Sequence, residues 1–107
     1  MVEYTIDLDL IFASLADSTR RDILRRVVQK ECSVGELADA YKHLSFAGVS
    51  KHIGVLEDAD LVVKKRNGRY QLISANAKGI QAASSAIDRY KALWESRFNA
   101  LDALLKE

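Results

Sequence analysis

The chain has one cysteine and no proline in 107 residues. A single thiol excludes an intrachain disulfide and suits a reducing compartment, so a cytoplasmic location is expected. With no proline, no low-complexity tract and no internal repeat, no linker is visible, and residues 1–107 read as a single domain. No run approaches the roughly 20 apolar residues of a membrane span, so no membrane partner is expected. The N-terminal stretch is acidic and lacks an apolar core, so no signal peptide is expected either. There is no nucleophile–base pair, no glycine-rich phosphate loop and no metal-ligand spacing. An enzyme is therefore the weakest reading, and no cofactor is expected. What is present is a folding composition, 49% hydrophobic, on a chain large enough for one core and small for a deep pocket.

The net charge of +1 says little, but its distribution says more. Residues 1–17 carry four acids and no base; residues 18–30 carry five bases and one acid; residues 42–69 carry six bases and three acids. Two basic blocks that could share a face stand against acids elsewhere.

The stretch that organises the chain is SFAGVSKHIGVLEDADLVVKKRNGRYQLIS, residues 45–74. Ser45 is a good N-cap, because its hydroxyl can accept from an early helical N–H. Val49, Ile53 and Leu56 then recur at helical spacing and form one buried face. Between them lie Phe46, Ala47, Gly48, Ser50, Lys51, His52 and Gly54. Apart from Phe46, that face is short-chained or polar, which suits close approach to a DNA groove with a few donors. Glycine inside a helix costs roughly 1 kcal/mol against alanine, so Gly48 and Gly54 point to close packing or close approach. The bland alternative is an ordinary amphipathic helix with tolerated glycines. Two β-like runs follow, Leu61–Arg66 and Arg69–Ser74, and Asn67-Gly68 between them predicts a hairpin with a type I′ turn. Lys64, Lys65, Arg66 and Arg69 crowd its tip without an acid. Mutually repelling cations there make most sense beside a polyanion. A capped helix running into a basic hairpin is the layout of a winged helix-turn-helix, with the helix in a major groove and the wing on the flanking backbone or minor groove.

The rest of the chain fits that layout. Residues 1–6 read as a short extended arm. Leu8, Ile11, Phe12 and Leu15 share a face of a first helix, with Asp7 or Asp9 at its start and Asp17 capping the next. The second helix runs from Ser18 to about Lys30, with Ile23, Leu24, Val27 and Val28 as its apolar stripe. Arg20, Arg21, Arg25 and Arg26 fill its other face, either solvated or, for Arg20 or Arg21, reaching a phosphate. Ser33 and Glu36 form a capping box for a third helix over about Val34–Tyr41. The short turn Lys42-His43-Leu44 joins it to the helix capped by Ser45, which is helix-turn-helix spacing. His43 reads as an exposed polar residue; for His52 a structural hydrogen bond or a phosphate contact is expected rather than a metal. Asn76 can cap a final helix of about 28 residues. Along it Ile80, Ala83, Ile87, Tyr90, Trp94, Phe98, Leu101 and Leu105 step by 3 or 4, close to a heptad seam. That is more apolar surface than one small domain covers, and a symmetric partner is the economical answer. The alternative is a helix folded back on its own domain.

These segments carry a family resemblance. LADSTRRDIL at 15–24, SVGELADAY at 33–41, FAGVSKHIGVLEDADLV at 46–62 and KKRNGRYQL at 64–72 resemble the ArsR-type winged-helix transcriptional repressors, well over about residues 8–75. The tail WESRFNALDALL at 94–105 resembles the subgroup with a long C-terminal helix and no metal site. The resemblance implies a mainly α fold with a small β-hairpin: first helix within 1–17, helix-turn-helix over 33–60, wing over 61–74, dimerisation helix over 76–106. It implies a homodimer that binds a short inverted repeat in double-stranded DNA and blocks transcription. Ser45, Phe46, Ala47, Ser50, Lys51 and His52 fall on the family's recognition-helix positions, and Arg66 and Arg69 on its wing, with Lys64 and Lys65 adding phosphate or minor-groove contacts. Leu8, Ile11, Phe12, Ile80, Ile87, Tyr90, Trp94, Phe98 and Leu101 are the expected dimer face.

The chain also departs from the family's pattern. Many members sense metal through paired cysteines on the third helix or through His and carboxylate groups on the last. Here Cys32 is alone, followed by Ser33 and Val34, and the last helix has no histidine. Soft-metal sites need three or four N or S ligands, so no metal is expected; the inducing signal is not named by the sequence. Asp60 stands where the family usually has the glycine that ends the recognition helix, and Asp tolerates a left-handed conformation better than most. Phe46 stands where many members carry a polar base-reading residue, and either contacts a thymine methyl or packs inward. The rival reading is a winged-helix dimer serving as a protein-interaction module, which would have no reason to keep a basic wing. A redox link through Cys32 of two chains is a further regulatory option.

Overall fold

Every helix of the domain opens on a side-chain acceptor that the sequence places just ahead of it. The computed structural model describes residues 7–106; the arm expected over residues 1–6 lies outside them. Asp7 accepts from the Leu10 N–H at 3.1 Å and starts α1 (Leu8–Leu15). Asp17 accepts from Arg20 at 3.0 Å and starts α2 (Ser18–Gln29). A two-residue strand, β1 (Cys32–Ser33), leads into α3 (Val34–Ala40), where the capping box forms in both directions between Ser33 and Glu36. Ser45 accepts from Gly48 at 3.0 Å and starts α4 (Phe46–Asp58). The wing is β2 (Val62–Asn67) and β3 (Tyr70–Ala75), and Asn76 caps α5 (Ala77–Leu105). Each such cap contributes about 1 kcal/mol and fixes where the chain turns into a helix.

The architecture is mainly α with a small antiparallel sheet, a winged helix-turn-helix. Two details differ from the sequence expectation. The sheet has three strands in the order β1-β3-β2, because Cys32 and Ser33 pair with Ile73 and Leu72 on the outer side of the hairpin. The tip is also displaced by one residue: Asn67 pairs with Tyr70, so Gly68-Arg69 is the loop. Gly68 has φ +61° and Arg69 does not share a positive φ. A single positive φ on a leading glycine is the signature of a type II′ turn rather than the expected type I′.

The core gathers Ile23, Leu37, Val49, Ile53, Leu56, Leu61 and Ile73, each at most 2% exposed. Ile11 joins them at 2%; expected on the dimer face, it is instead part of the protomer's own core, since its side of α1 packs on the body. Leu8 and Ile80, also expected on that face, are partly buried against the same core. Val28, expected in the α2 stripe, is exposed. At the end of α4 the chain turns through Asp60 at φ +60°, the left-handed conformation expected of it. The Leu61 N–H then bonds back to the Leu56 carbonyl at 3.1 Å, and Asn76 bonds to Leu61 at 3.0 Å. The two ends of the wing are thereby tied together.

Among the described residues of α5 only its start packs on the body, with Gly79, Ala83 and Ala86 buried and Ile80 partly buried against the core. From Ile87 to Lys106 every residue is exposed. The helix does not fold back on its own domain. Its projection explains a radius of gyration of 17.8 Å, against about 13 Å for a compact domain of this length. Among the described residues no helix is long and apolar enough to cross a membrane.

Candidate nucleic-acid interface

α3 and α4 are joined by a short turn that contributes Leu44 to the edge of the core. The apolar face of α4 is consumed in that packing: Val49, Ile53 and Leu56 are buried. The opposite face is left outward. Ser45, Phe46, Ala47 and Lys51 are exposed, and Ser50, His52 and Gly54 are half-buried. Phe46 is 61% exposed and does not pack inward. A side chain at Gly48 would press on the capping Ser45 hydroxyl at 3.2 Å, whereas one at Gly54 would meet nothing within 4 Å. Of these two glycines, it is Gly48 that has a neighbour an added side chain would crowd.

The wing lies beside the start of this helix. Lys64, Lys65, Arg66 and Arg69 are all exposed, and among the described residues no carboxylate forms an ion pair with any of them. Arg66 reaches only the Gly68 carbonyl, at 3.4 Å. Arg66, Arg69, Tyr70 and Gln71 line one open cleft with Phe46, Ser33, Val34 and Gly35. Tyr70 and Gln71 carry no motif of their own in the sequence. The signal that could have found them is their register, one and two residues beyond the loop on the strand paired with the basic one.

The other basic block behaves differently: its arginines, read as either solvated or, for Arg20 or Arg21, reaching a phosphate, are held within the protomer. Arg20 gives Nε to the Ser14 carbonyl at 2.6 Å and Nη2 to the Ala13 carbonyl at 3.0 Å. Arg21 bonds the Leu15 carbonyl at 2.7 Å. The Ser14 and Leu15 carbonyls lie in the last turn of α1, where helical partners run out, and the Ala13 carbonyl accepts from the Ala16 N–H at 3.3 Å as well. Arg25 and Arg26 close on Asp22 at 2.5 and 3.1 Å. Asp22 also accepts from the Tyr41 hydroxyl, with Arg26 stacked 5.5 Å from the Tyr41 ring centroid. The Tyr41 hydroxyl and the two guanidiniums hold the Asp22 carboxyl well below the usual carboxylate range. Burial, then the Asp22 carboxylate, pushes Tyr41 up to about 12. These arginines are thus held by the fold, whereas the four wing cations have no carboxylate partner among the described residues. The remaining polar expectations resolve simply. His52 makes a hydrogen bond, its Nδ1 lying 3.2 Å from Arg20 Nη1. Cys32 is half-buried with its thiol on the Lys30 carbonyl, and burial, then Glu36, raises its pKa, which weakens the thiolate chemistry a redox link needs.

Comparison with known proteins agrees with this geometry. A family model described as a helix-turn-helix domain matches residues 15–65. The HTH-type transcriptional regulator YuzN of Bacillus subtilis (strain 168) is 35% identical over 74 residues, spanning 64% of this chain and 80% of its own. The transcriptional repressor SdpR of the same organism is 27% identical over 71 residues, spanning 66% and 78%. The crystal structure of an ArsR family transcriptional regulator superposes with a TM-score of 0.75 at 31% identity, covering 90% of this chain and 98% of that one. The fold, the helix-turn-helix with its exposed basic wing, and these similarities together assign the chain to the ArsR family of winged helix-turn-helix transcriptional regulators, DNA-binding proteins and not enzymes.

Proposed function

We propose that the protein is a homodimeric repressor that binds an inverted-repeat operator in the cytoplasm and responds to no metal ion. Each protomer lays α4 in a major groove, the two grooves lying about 34 Å apart along one face of the duplex. Ser45, Phe46, Ala47, Ser50, Lys51 and His52 meet base edges and nearby phosphates. Lys64, Lys65, Arg66 and Arg69 meet the flanking backbone or minor groove. The observation that carries the reading is the wing: four cations with no carboxylate partner among the described residues, beside a recognition helix whose outer face is small and polar.

The dimer reading is supported by the projecting half of α5. Ile87, Tyr90, Leu93, Trp94, Phe98 and Leu101 are exposed together, with Trp94 and Phe98 stacked at 5.3 Å, and Leu10 and Phe12 of α1 are exposed as well. An apolar stripe of this extent marks an interface, and a second copy is the partner that a two-fold operator requires. Repression follows the similarity to SdpR. Metal independence follows from the donor set, a lone thiol per chain and a last helix without histidine.

The wing assignment is tested with Lys65→Ala and Arg69→Ala combined. The double variant binds all duplexes more weakly, and its dependence on salt flattens by about one counterion for each phosphate the wing no longer neutralises. Unchanged affinity and salt slope would remove the wing from the interface.

A further inference from the structure

One guanidinium joins α1 to the recognition helix. Arg20, in the first turn of α2, donates to the carbonyls of Ala13 and Ser14 at the end of α1, and its remaining arm, Nη1, lies 3.2 Å from His52 Nδ1 on α4. The end of α1 is itself fixed, since Ser14 is fully buried and its hydroxyl donates to the Ile11 carbonyl at 2.8 Å. A guanidinium only donates. His52 Nδ1 is therefore the acceptor, and the neutral ring carries its proton on Nε2. The nitrogen not held by Arg20 is thus a donor, which is what a phosphate oxygen takes.

We propose that Arg20 is a positioning residue for DNA binding: anchored on the end of α1, it holds His52 of α4 in the Nε2–H tautomer and aims that donor at a DNA phosphate. The proposal rests on α4 being the DNA-facing helix. It also assigns the Arg20 side chain a role in affinity without any contact to DNA.

The first test reads the tautomer directly. In 15N-labelled protein at about pH 8, above the ordinary histidine pKa, His52 shows an unprotonated Nδ1 and a protonated Nε2. Arg20→Lys lets it relax towards the tautomer mixture of His43, which lies in the exposed turn. A wild-type His52 protonated on Nδ1 overturns the proposal.

The second test reads DNA affinity on a selected operator, with thermal stability measured alongside. His52→Asn keeps an acceptor near Nδ1 but has nothing at Nε2, and loses about ten-fold in affinity with its melting temperature kept. His52→Gln restores a donor near Nε2 and recovers part of that loss. Arg20→Lys weakens binding in the wild-type background and adds nothing to His52→Asn. Equal losses from Arg20→Lys in both backgrounds, or full affinity in His52→Asn, would overturn it. A wild-type protein that prefers no duplex removes the DNA-facing reading of α4 itself, and does so separately from the tautomer result.

Discussion

Gly79 and Asp60 meet so closely that a β-carbon on Gly79 would lie 1.8 Å from the Asp60 carbonyl oxygen. Asp60 is the left-handed residue that ends the run of α4, and Gly79 is in the first turn of α5. Their contact fixes how the end of α4 meets the start of α5, and so relates the proposed DNA-facing surface to the projecting apolar stripe. Gly79→Ala forces the backbones apart. The cost is about 2 kcal/mol or more, a melting temperature lower by on the order of 10 °C in a domain of this size. An unchanged melting temperature would mean the contact is looser than described.

Acid stability should follow Asp22. Its folded pKa lies below its unfolded value, chiefly through the Tyr41 hydroxyl and then Arg25 and Arg26. Stabilisation from a depressed carboxylate is fully present above the unfolded pKa near 4 and is lost as pH falls through the folded value. Urea midpoints measured between about pH 2 and pH 7 should therefore decline at the acid end, and Asp22→Asn should flatten that decline. At neutral pH the variant costs about 1 kcal/mol, a modest figure because the side chain is 32% exposed. Parallel curves for the two proteins would take Asp22 out of the account.

Phe46 should make the operator sensitive to thymine methyl groups. The side chain is exposed at the N-terminal end of the recognition helix, where it has no donor to offer a base edge but can touch a methyl. Replacing the contacted thymine by deoxyuridine should weaken wild-type binding about four-fold, the worth of one buried methyl-sized group, and leave Phe46→Ala unaffected. Equal losses for both proteins would place Phe46 away from that base.

The features legible in the sequence are those set by neighbours along the chain. Ser33 with Glu36, Ser45, Asp17 and Asn76 cap helices within one turn, so type and spacing suffice to find them. The left-handed Asp60 follows from its place at a helix end. What the sequence hides depends on partners remote along the chain. β1 is two residues long and exists only because β3 lies alongside it. The α2 arginines read as a free basic face, but the Ser14 and Leu15 carbonyls and Asp22 hold them. Ile11 fits an exposed helical stripe equally well until the packing of α1 is known. Asn67-Gly68 announces a tight turn correctly, but types I′ and II′ both accept glycine, so the one-residue displacement of the tip is set by strand register. Among the proposed interface residues, the wing cations are read from their spacing, whereas Tyr70 enters through the cleft it shares with Phe46.

The central claim is that two copies read two half-sites. Its most direct test is selection from a pool of random duplexes at about physiological salt, followed by sequencing and by sizing of the complex. The account predicts enrichment of one inverted repeat, with half-site centres about one helical turn apart and two chains per duplex. Uniform weak binding that disappears as salt is added would contradict it, leaving only non-specific attraction of the wing to phosphate.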